Sequence, residues 1–316
     1  EARSLLTRDE PERAVPALLA ALAALDQLAD DPRDVDPRVV DARVAVQRAI
    51  AGSSGLFVRA TSAQPFLVPG QTVELSVEVV LRRPAGVTLK RLDFPDGSVV
   101  GVNAALIVNE KKLVKHDDTV PTSAAISAPY WLAAAATPGR QAVTDPKLIG
   151  DPRQPAPLAI TATFEASGRA FRLDVPVVYA TTDPVRGERL RETLIVPPAT
   201  VTPARDAAMS VNGKPAPVVL RVRAGSDGVK GSVTLPVPSG WRVDPATIPV
   251  ELAKAGDETT ARFAVTPPAG SAAVSLRPAI DIDGKAWSFK EHVIDYPHIP
   301  VQVVLQPAQV RVVPLQ

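Results

Sequence analysis

Apolar and polar residues alternate along most of this chain, and the period of that alternation changes once. Over residues 1–51 the period is helical. Leu18, Leu22 and Leu25, with Ala21 between them, fall on one helical face. Glu12 and Arg13 occupy the first turn after Pro11, and Asp30, Asp31 and Pro32 form a stop signal. A second helix is predicted after Asp36, with Asp36 as its cap and Pro37 at its first position. It runs through Val40, Val44 and Ile50 and ends at Gly52. The two predict an antiparallel hairpin with an Ala- and Leu-rich face. That face must pack on the segment behind it or on a domain upstream.

From Ser53 the period is two. Leu56, Val58 and Ala60 alternate, residues 66–70 turn the chain, and Val73, Leu75, Val77 and Val79 alternate strictly with polar residues. Such a strand buries one face in an antiparallel sheet. Residues 87–92 are the next strand, closed by the turn signal Pro95-Asp96-Gly97. Residues 103–118 are less regular. Residues 121–157 read as a long proline-broken loop that carries Pro129-Tyr130-Trp131-Leu132, and a loop of that length is commonly functional. Strands are predicted again at 158–165 and 170–179. A loop follows at 181–188, and residues 189–196 close the unit.

Pro197-Pro198 is the natural domain boundary. Beyond it, strands are predicted at 199–211, 218–224, 247–252, 258–266, 271–281 and 286–294. Residues 231–245 read as a hairpin whose turn carries Trp241. The tail alternates at Val310, Val312 and Leu315 but meets no partner in the pattern, so it reads as a connector strand. The expected fold is all-β with a small N-terminal helical hairpin and two antiparallel immunoglobulin-like β-sandwiches. The expected divisions are 1–52, 53–198, 199–296 and 297–316.

Composition narrows the chemistry. There is no cysteine, which excludes disulfides, thiolate metal sites and cysteine nucleophiles. The chain has 33 prolines, about twice the usual share, and they stand at the ends of apolar runs, so they punctuate strands. Lys plus Arg total 35 against 34 Asp plus Glu, with no basic stripe, so no nucleic-acid partner is expected. No apolar run is long enough to span a bilayer as a helix. The start at Glu1 suggests a mature or excised fragment, and the expected location is periplasmic or secreted.

Catalytic signatures are missing. No G-x-S-x-G elbow, P-loop or dinucleotide-binding glycine motif occurs. His116 lies in KHDDT beside Asp117 and Asp118. Neighbouring strand residues point to opposite faces, and no second histidine follows at ligand spacing, so a solvated loop is preferred to a metal cluster. His292 and His298, near Glu291 and Asp295, share a face only if a strand continues regularly through Pro297. Structural roles are preferred for them too. Asp281 and Asp283 flank Gly284 and read as a hairpin turn. Catalytic residues, metal ligands and cofactors are therefore expected to be none.

Aromatics are the remaining candidates. Exposed Trp and Tyr rings stack on sugar C–H faces, and Tyr130, Trp131 and Trp241 are the candidate ligand-binding residues. For Trp241 and Trp287, packing into the sandwich is preferred. For Tyr130 and Trp131, packing and ligand binding stand equal.

The segment from Pro238, Gly240, Trp241, Val243 and Pro245 to Phe263, Val265, Pro267 and Pro268 follows the pattern P-x-G-W-x-V-x-P then F-x-V-x-P-P. It resembles the alpha-galactosidase-associated (NPCBM-associated) sandwich domain found beside carbohydrate enzymes. Over residues 55–315, the segments SAPYWL, LIGDP, TDPVRGE, VPPATV and YPHIPVQ together resemble the non-catalytic middle of long bacterial LmbE-like deacetylases of the PIG-L family. That family removes N-acetyl groups from amino sugars with zinc held by A-H-P-D-D and a later H-x-x-H. Neither motif is present here, and KHDDT lacks the proline, so no zinc ligation is carried onto His116 or Asp118. The resemblance implies a non-catalytic accessory region that binds glycan or positions the catalytic α/β domain of a parent zinc deacetylase. The alternative is a structural spacer or oligomerisation module.

Overall fold

A computed structural model describes residues 1–28, 36–133, 137–140, 142–151, 154–294, 296, 298 and 302–315. The chain is mostly strand with a short helical region at its start, and it divides into two compact units. Unit 1 comprises Glu1–Pro65, Thr72–Pro121 and Ala156–Thr193. Unit 2 comprises Phe66–Gln71, Thr122–Pro155 and Leu194–Gln316. Two segments thus belong to unit 2 although the strands that flank them in sequence belong to unit 1.

Unit 1 opens with α1 (Ala2–Leu5), a 3-10 turn at Pro11–Ala14, α2 (Val15–Gln27) and α3 (Pro37–Ser54). Asp36 caps α3 as expected: its Oδ1 accepts the Arg38 N–H at 2.9 Å, and Pro37 fills the first position. The helices pack on each other, and Arg43 pairs with Asp26 at 2.7 Å. The buried stripe differs from the expected one. On α2 it is Val15, Leu19 and Leu22, while Ala21 faces solvent and Leu18 and Leu25 are half-buried. On α3 only Ile50, Ser53 and Ser54 are buried, and Val40 and Val44 are exposed. Helix α3 also runs two residues beyond Gly52, to a left-handed Gly55 at φ 61°. The Asp30-Asp31-Pro32 stop lies outside the described residues.

The strands are β1 (Leu56–Ser62), β2 (Phe66–Leu67), β3 (Thr72–Leu81), β4 (Val87–Asp93), β5 (Val99–Ala105), β6 (Lys111–Thr119), β7 (Ala159–Ala166), β8 (Arg169–Asp183) and β9 (Gly187–Glu192). All but β2 form one connected sheet in the order β5-β4-β7-β8-β1-β3-β6, with β9 also on β8. Strand β8 changes partners along its length. Arg169 to Pro176 pair with β7, and from Val177 on the strand pairs with β1 and β9. Helix α3 packs against β1 and β8, and of its expected apolar stripe only Ile50 is buried.

On β3 the alternation predicts the core. Leu75, Val77 and Val79 of β3 are fully buried, with Ile160, Ala162 and Phe164 of β7. On β4, Val87, Leu89 and Leu92 are all buried although the spacing is uneven. A register shift between Leu89 and Arg91 absorbs the extra residue and returns Leu92 to the inner face. Two expectations fail here. Residues 103–118 hold all but the last residue of the nine-residue strand β6, whose run of lysines and aspartates hides its period. Residues 181–188 are not a loop: β8 and β9 form a hairpin there, with Asp183 opposite Gly187.

Unit 2 continues with β10 (Leu194–Ile195), β11 (Ala199–Pro203), β12 (Ala207–Val211), β13 (Ala216–Ala224), β14 (Val229–Thr234), β15 (Arg242–Asp244), β16 (Thr247–Leu252), β17 (Glu258–Thr266), β18 (Val274–Leu276), β19 (Ala279–Ile282), β20 (Lys285–Trp287), β21 (Phe289–Ile294), β22 (Gln302–Pro307) and β23 (Val310–Leu315). One sheet runs β11-β13-β17-β15, a second β16-β14-β19-β20 and a third β12-β23-β18; β21 pairs with β22, and β2 with β10. The alternate residues of β13 and β17, from Ala216 to Ala224 and Ala261 to Val265, share one core with Val233, Leu235, Ile280, Trp287, Val310 and Val312.

Several elements of unit 2 depart from the sequence pattern. The runs 199–211, 271–281 and 286–294 each break into two strands. Residues 231–245 are not a hairpin. Strand β14 pairs with β16 and β19, whereas β15 pairs with β17 in another sheet, so the Pro-rich link between them carries the chain from sheet to sheet. The tail is not an unpartnered connector: β23 lies between β12 and β18, and its Val310 and Val312 are buried. Nor is the pairing wholly antiparallel, since β1–β8, β2–β10 and β12–β23 are parallel.

Candidate functional site

The long loop in unit 2 is anchored before it reaches its aromatics. Ser127 is buried and makes a two-way clasp with β10. Its N–H donates to the Ile195 carbonyl at 2.8 Å, and its Oγ accepts the Ile195 N–H at 2.9 Å. Ile126 packs beside it against the apolar cores of the unit. A turn follows, in which the Leu132 N–H donates to the Pro129 carbonyl at 2.8 Å. This turn raises Tyr130 and Trp131 together.

The two rings meet edge to face, with centroids 4.9 Å apart at 87°. The Tyr130 hydroxyl donates to the Asp151 carbonyl at 2.9 Å, so it ties the outgoing limb of the loop to the returning one. Trp131 keeps 37% of its surface exposed and Leu132 38%. The result is a braced aromatic edge open to solvent. One ring fixes the other, which lowers the entropy cost of holding Trp131 ready for a ligand. Pro152 of the LIGDP segment lies outside the described residues.

Trp241 is placed differently. Its N–H donates to the Pro238 carbonyl at 3.1 Å, and its half-buried ring packs against the core of unit 2. Trp287 is buried in that core, with the Lys285 ammonium 4.1 Å from its ring centroid. Tyr130 and Trp131 therefore form a pair, and Trp241 stands on the crossover between β14 and β15.

His292 and His298 do not come together as a strand face. His292 is exposed opposite Val304, the strand ends at Ile294, and His298 stacks on Tyr296 at 5.8 Å. Asp295 and Pro297 lie outside the described residues. Glu291 is engaged by Arg223, and its N–H donates to Thr202 Oγ1 at 3.2 Å. Asp283 and Gly284 form the turn between β19 and β20, and Asp281 Oδ1 at its start accepts the Gly284 N–H at 3.1 Å. A groove of about 520 Å³ in unit 2 is lined by Ala204, Ala208, Pro217 and Val218 among others. It offers no converging set of polar groups of the kind that orients a small ligand.

In unit 1 the KHDDT segment is an edge strand, not a loop. His116 stands opposite Leu75 and Asp118 opposite Val73 across the β3–β6 ladder. Opposed residues share a face, so both side chains point to the side that β3 fills with valine and leucine. His116 and Asp118 are two apart, and that even spacing is the signal which comparing immediate neighbours misses. The Phe94 ring lies tilted against the His116 ring with centroids 4.1 Å apart, and Ser98 Oγ lies 2.7 Å from His116 Nε2. The turn after β4 brings Asp96 to the same place. Its Gly97 sits at φ 88°, a backbone that glycine adopts without strain, and Asp96 Oδ1 accepts the Ser98 N–H at 2.7 Å.

One donor atom each from Asp96, His116 and Asp118 lies within 4.8 Å of the others. Burial pushes the Asp118 carboxyl above its ordinary range, and the nearby Asp96 charge adds to the effect, while hydrogen bonding from the Asp96 N–H opposes it. For Asp96, partial burial disfavours the carboxylate, but the hydrogen bonds from Ser98 outweigh it and hold its carboxyl below the ordinary range.

Comparison with known proteins finds a family match for one stretch of unit 2. Residues 216–278 match the model of the NPCBM-associated, NEW3 domain of alpha-galactosidase. The match runs from β13 through β18 and contains the crossover with Trp241. No curated protein matches the chain. Solved structures that resemble it include Escherichia coli alpha-2-macroglobulin activated by porcine elastase, at 12% identity and a TM-score of 0.26, covering 82% of this chain and 22% of that one. Salmonella alpha-2-macroglobulin reacted with methylamine gives 12% identity, a TM-score of 0.27, and 82% and 16% coverage. A protein of unknown function from Porphyromonas gingivalis W83 gives 14% identity, a TM-score of 0.21, and 82% and 99% coverage. The chain thus spans less than a quarter of the two macroglobulins.

Proposed function

We propose that this chain, which carries a carbohydrate-associated accessory domain of the NEW3 type, is a non-catalytic accessory region that binds glycan or positions a catalytic domain upon it. The observation that carries the proposal is the match over residues 216–278. The braced Tyr130–Trp131 edge supports it, because a half-exposed indole held by a second ring is suited to stacking on a pyranose face. The finer part of the proposal concerns the parent protein. It is an LmbE-like deacetylase of the PIG-L family, which makes amino-sugar polymers the expected ligand. Its support is the order of the SAPYWL, LIGDP, TDPVRGE, VPPATV and YPHIPVQ segments. Calorimetric titration of the chain with N-acetylated and deacetylated amino-sugar oligomers tests this. Saturable heats are expected, and their absence for every oligomer overturns the glycan-binding half.

A second function, that of structural spacer or oligomerisation module, draws on one specific feature. Val40 and Val44 lie one helical turn apart on α3, and both are exposed. Sedimentation equilibrium separates the two readings, since a monomer at all concentrations removes the oligomer version.

A further inference from the structure

The inner face of β6 departs from the hydrocarbon that fills the facing positions of β3. Beside Val73 and Leu75 it places an imidazole and a carboxylate where hydrocarbon would be cheaper to bury. Asp118 is fully buried. Its Oδ1 accepts the Asp96 N–H at 3.2 Å, and its Oδ2 has no hydrogen-bond partner. A buried carboxylate oxygen without a donor is costly, and native proteins keep few of them without a reason. A second carboxylate approaches from Asp96, with His116 as the neighbouring imidazole. Two acids and one imidazole therefore converge with a deficit of positive charge.

A cation resolves that deficit. We propose that Asp96, His116 and Asp118 bind a divalent cation of the zinc class. The donor set of one imidazole nitrogen and two carboxylate oxygens suits zinc and neighbouring first-row ions. Calcium takes six to eight oxygens and magnesium an octahedral shell, and neither is matched by three mixed donors. Three protein ligands leave a position open, and the exposed Asp96 lets solvent reach it. Phe94 against the His116 ring and Ser98 at its Nε2 hold the imidazole, as the outer partners of metal-ligating histidines do. Asp96 and Asp118 stand on different elements, so the ion fastens the turn after β4 to the edge strand. This site is independent of the glycan-binding proposal, which concerns unit 2.

The test uses the full chain, stripped with chelator and titrated with zinc by calorimetry and thermal melting. One equivalent is expected to bind saturably and raise the melting temperature. Asp96→Asn keeps the acceptor for the Ser98 N–H and should lose at least tenfold in affinity, as should His116→Gln. A His292→Gln/His298→Gln chain should bind as the unaltered protein does. In that chain His116 is the sole histidine, so a shift of its ring nitrogen resonances on adding zinc reads the site directly, even if the Asp96 and His116 variants fold poorly. Absence of one-equivalent binding, unmoved His116 resonances, or full affinity in folded Asp96→Asn and His116→Gln chains overturns the proposal.

Discussion

Asp118 accepts the backbone N–H of Asp96 at 3.2 Å across 22 residues of sequence, and this bond joins the turn after β4 to the edge strand β6. The same Asp118 leaves its other oxygen buried and unpartnered. Its two oxygens therefore differ: one fastens the turn and the other is desolvated without a donor.

Asp118→Asn separates those effects. The amide oxygen can keep the Asp96 N–H, and the new NH2 group can donate to the Asp96 carboxylate. In metal-free protein at neutral pH the substitution is expected to raise stability by about 1–2 kcal/mol, the usual scale of relieving an unsatisfied buried group. Urea unfolding with an unchanged m-value is the check. A loss of stability would show that the charged oxygen is satisfied in solution.

The two tryptophans predict opposite phenotypes. Trp131 stands on a loop and is 37% exposed, whereas Trp241 packs on the core of unit 2. Trp131→Ala is expected to leave the unfolding midpoint within about 0.5 kcal/mol of the parent, and to weaken amino-sugar binding at least tenfold. Trp241→Ala is expected to cost more than 1 kcal/mol in stability with little change in affinity per folded molecule. Calorimetry and denaturant titration on both variants distinguish them.

How much was legible in the sequence follows from burial. Where one face of a strand is buried and the other wet, alternation located the strand, as in β13 and β17, and in β3 it also picked out the buried Val73, Leu75, Val77 and Val79. The cap of α3 was equally plain, because Asp36-Pro37 is a local signal. Edge strand β6 was not, since much of it is exposed and its inward positions carry His116 and Asp118. Partner choice was also hidden. Whether β15 pairs with β14 or β17 depends on contacts distant in sequence, and the alternation is the same in either case. Tyr130 and Trp131 could be named from composition, but their bracing by the Asp151 carbonyl is a tertiary fact.

Gly231 marks a close approach that alternation cannot report. It lies in β14 between two partners, and a Cβ built there collides with the Asp281 carbonyl oxygen of β19 and presses on Ile280 and Ile282. Gly231→Ala must push β19 away or tilt β14. The expected cost is about 1–3 kcal/mol, the range for overfilling a packed site. Amide exchange should locate the loosening at β19 and β14 rather than at β17.

Acid should open one hairpin first. Asp183 accepts the N–H groups of Val185 and Arg186, each at 2.8 Å, and these bonds hold its carboxyl below the ordinary range. A lowered folded value means the carboxylate supports the turn above the unfolded value of ~3.9 and ceases to as pH falls through the folded one. The Val185 and Arg186 amides are therefore expected to lose exchange protection below that pH while the β7–β8 ladder keeps its own. In Asp183→Asn the protection should no longer depend on pH in that window. Because the turn is largely exposed, the overall melting temperature should scarcely respond.

Phe164 and Phe171 supply the most direct measure of the core of unit 1. They face each other across β7 and β8, their rings stack with centroids 5.4 Å apart, and both are almost wholly buried. Phe164→Ala removes a ring from the middle of the sheet and leaves Phe171 without its partner. A loss of about 3–5 kcal/mol is expected, from transfer and cavity together. Phe171→Ala should cost a similar amount, but the double variant should cost less than the sum, because the stacking between the rings is lost only once. A double-mutant cycle by urea unfolding gives that coupling, expected at about 0.5–1.5 kcal/mol for an aromatic pair. Strict additivity would mean that each ring is held by the surrounding aliphatic side chains alone.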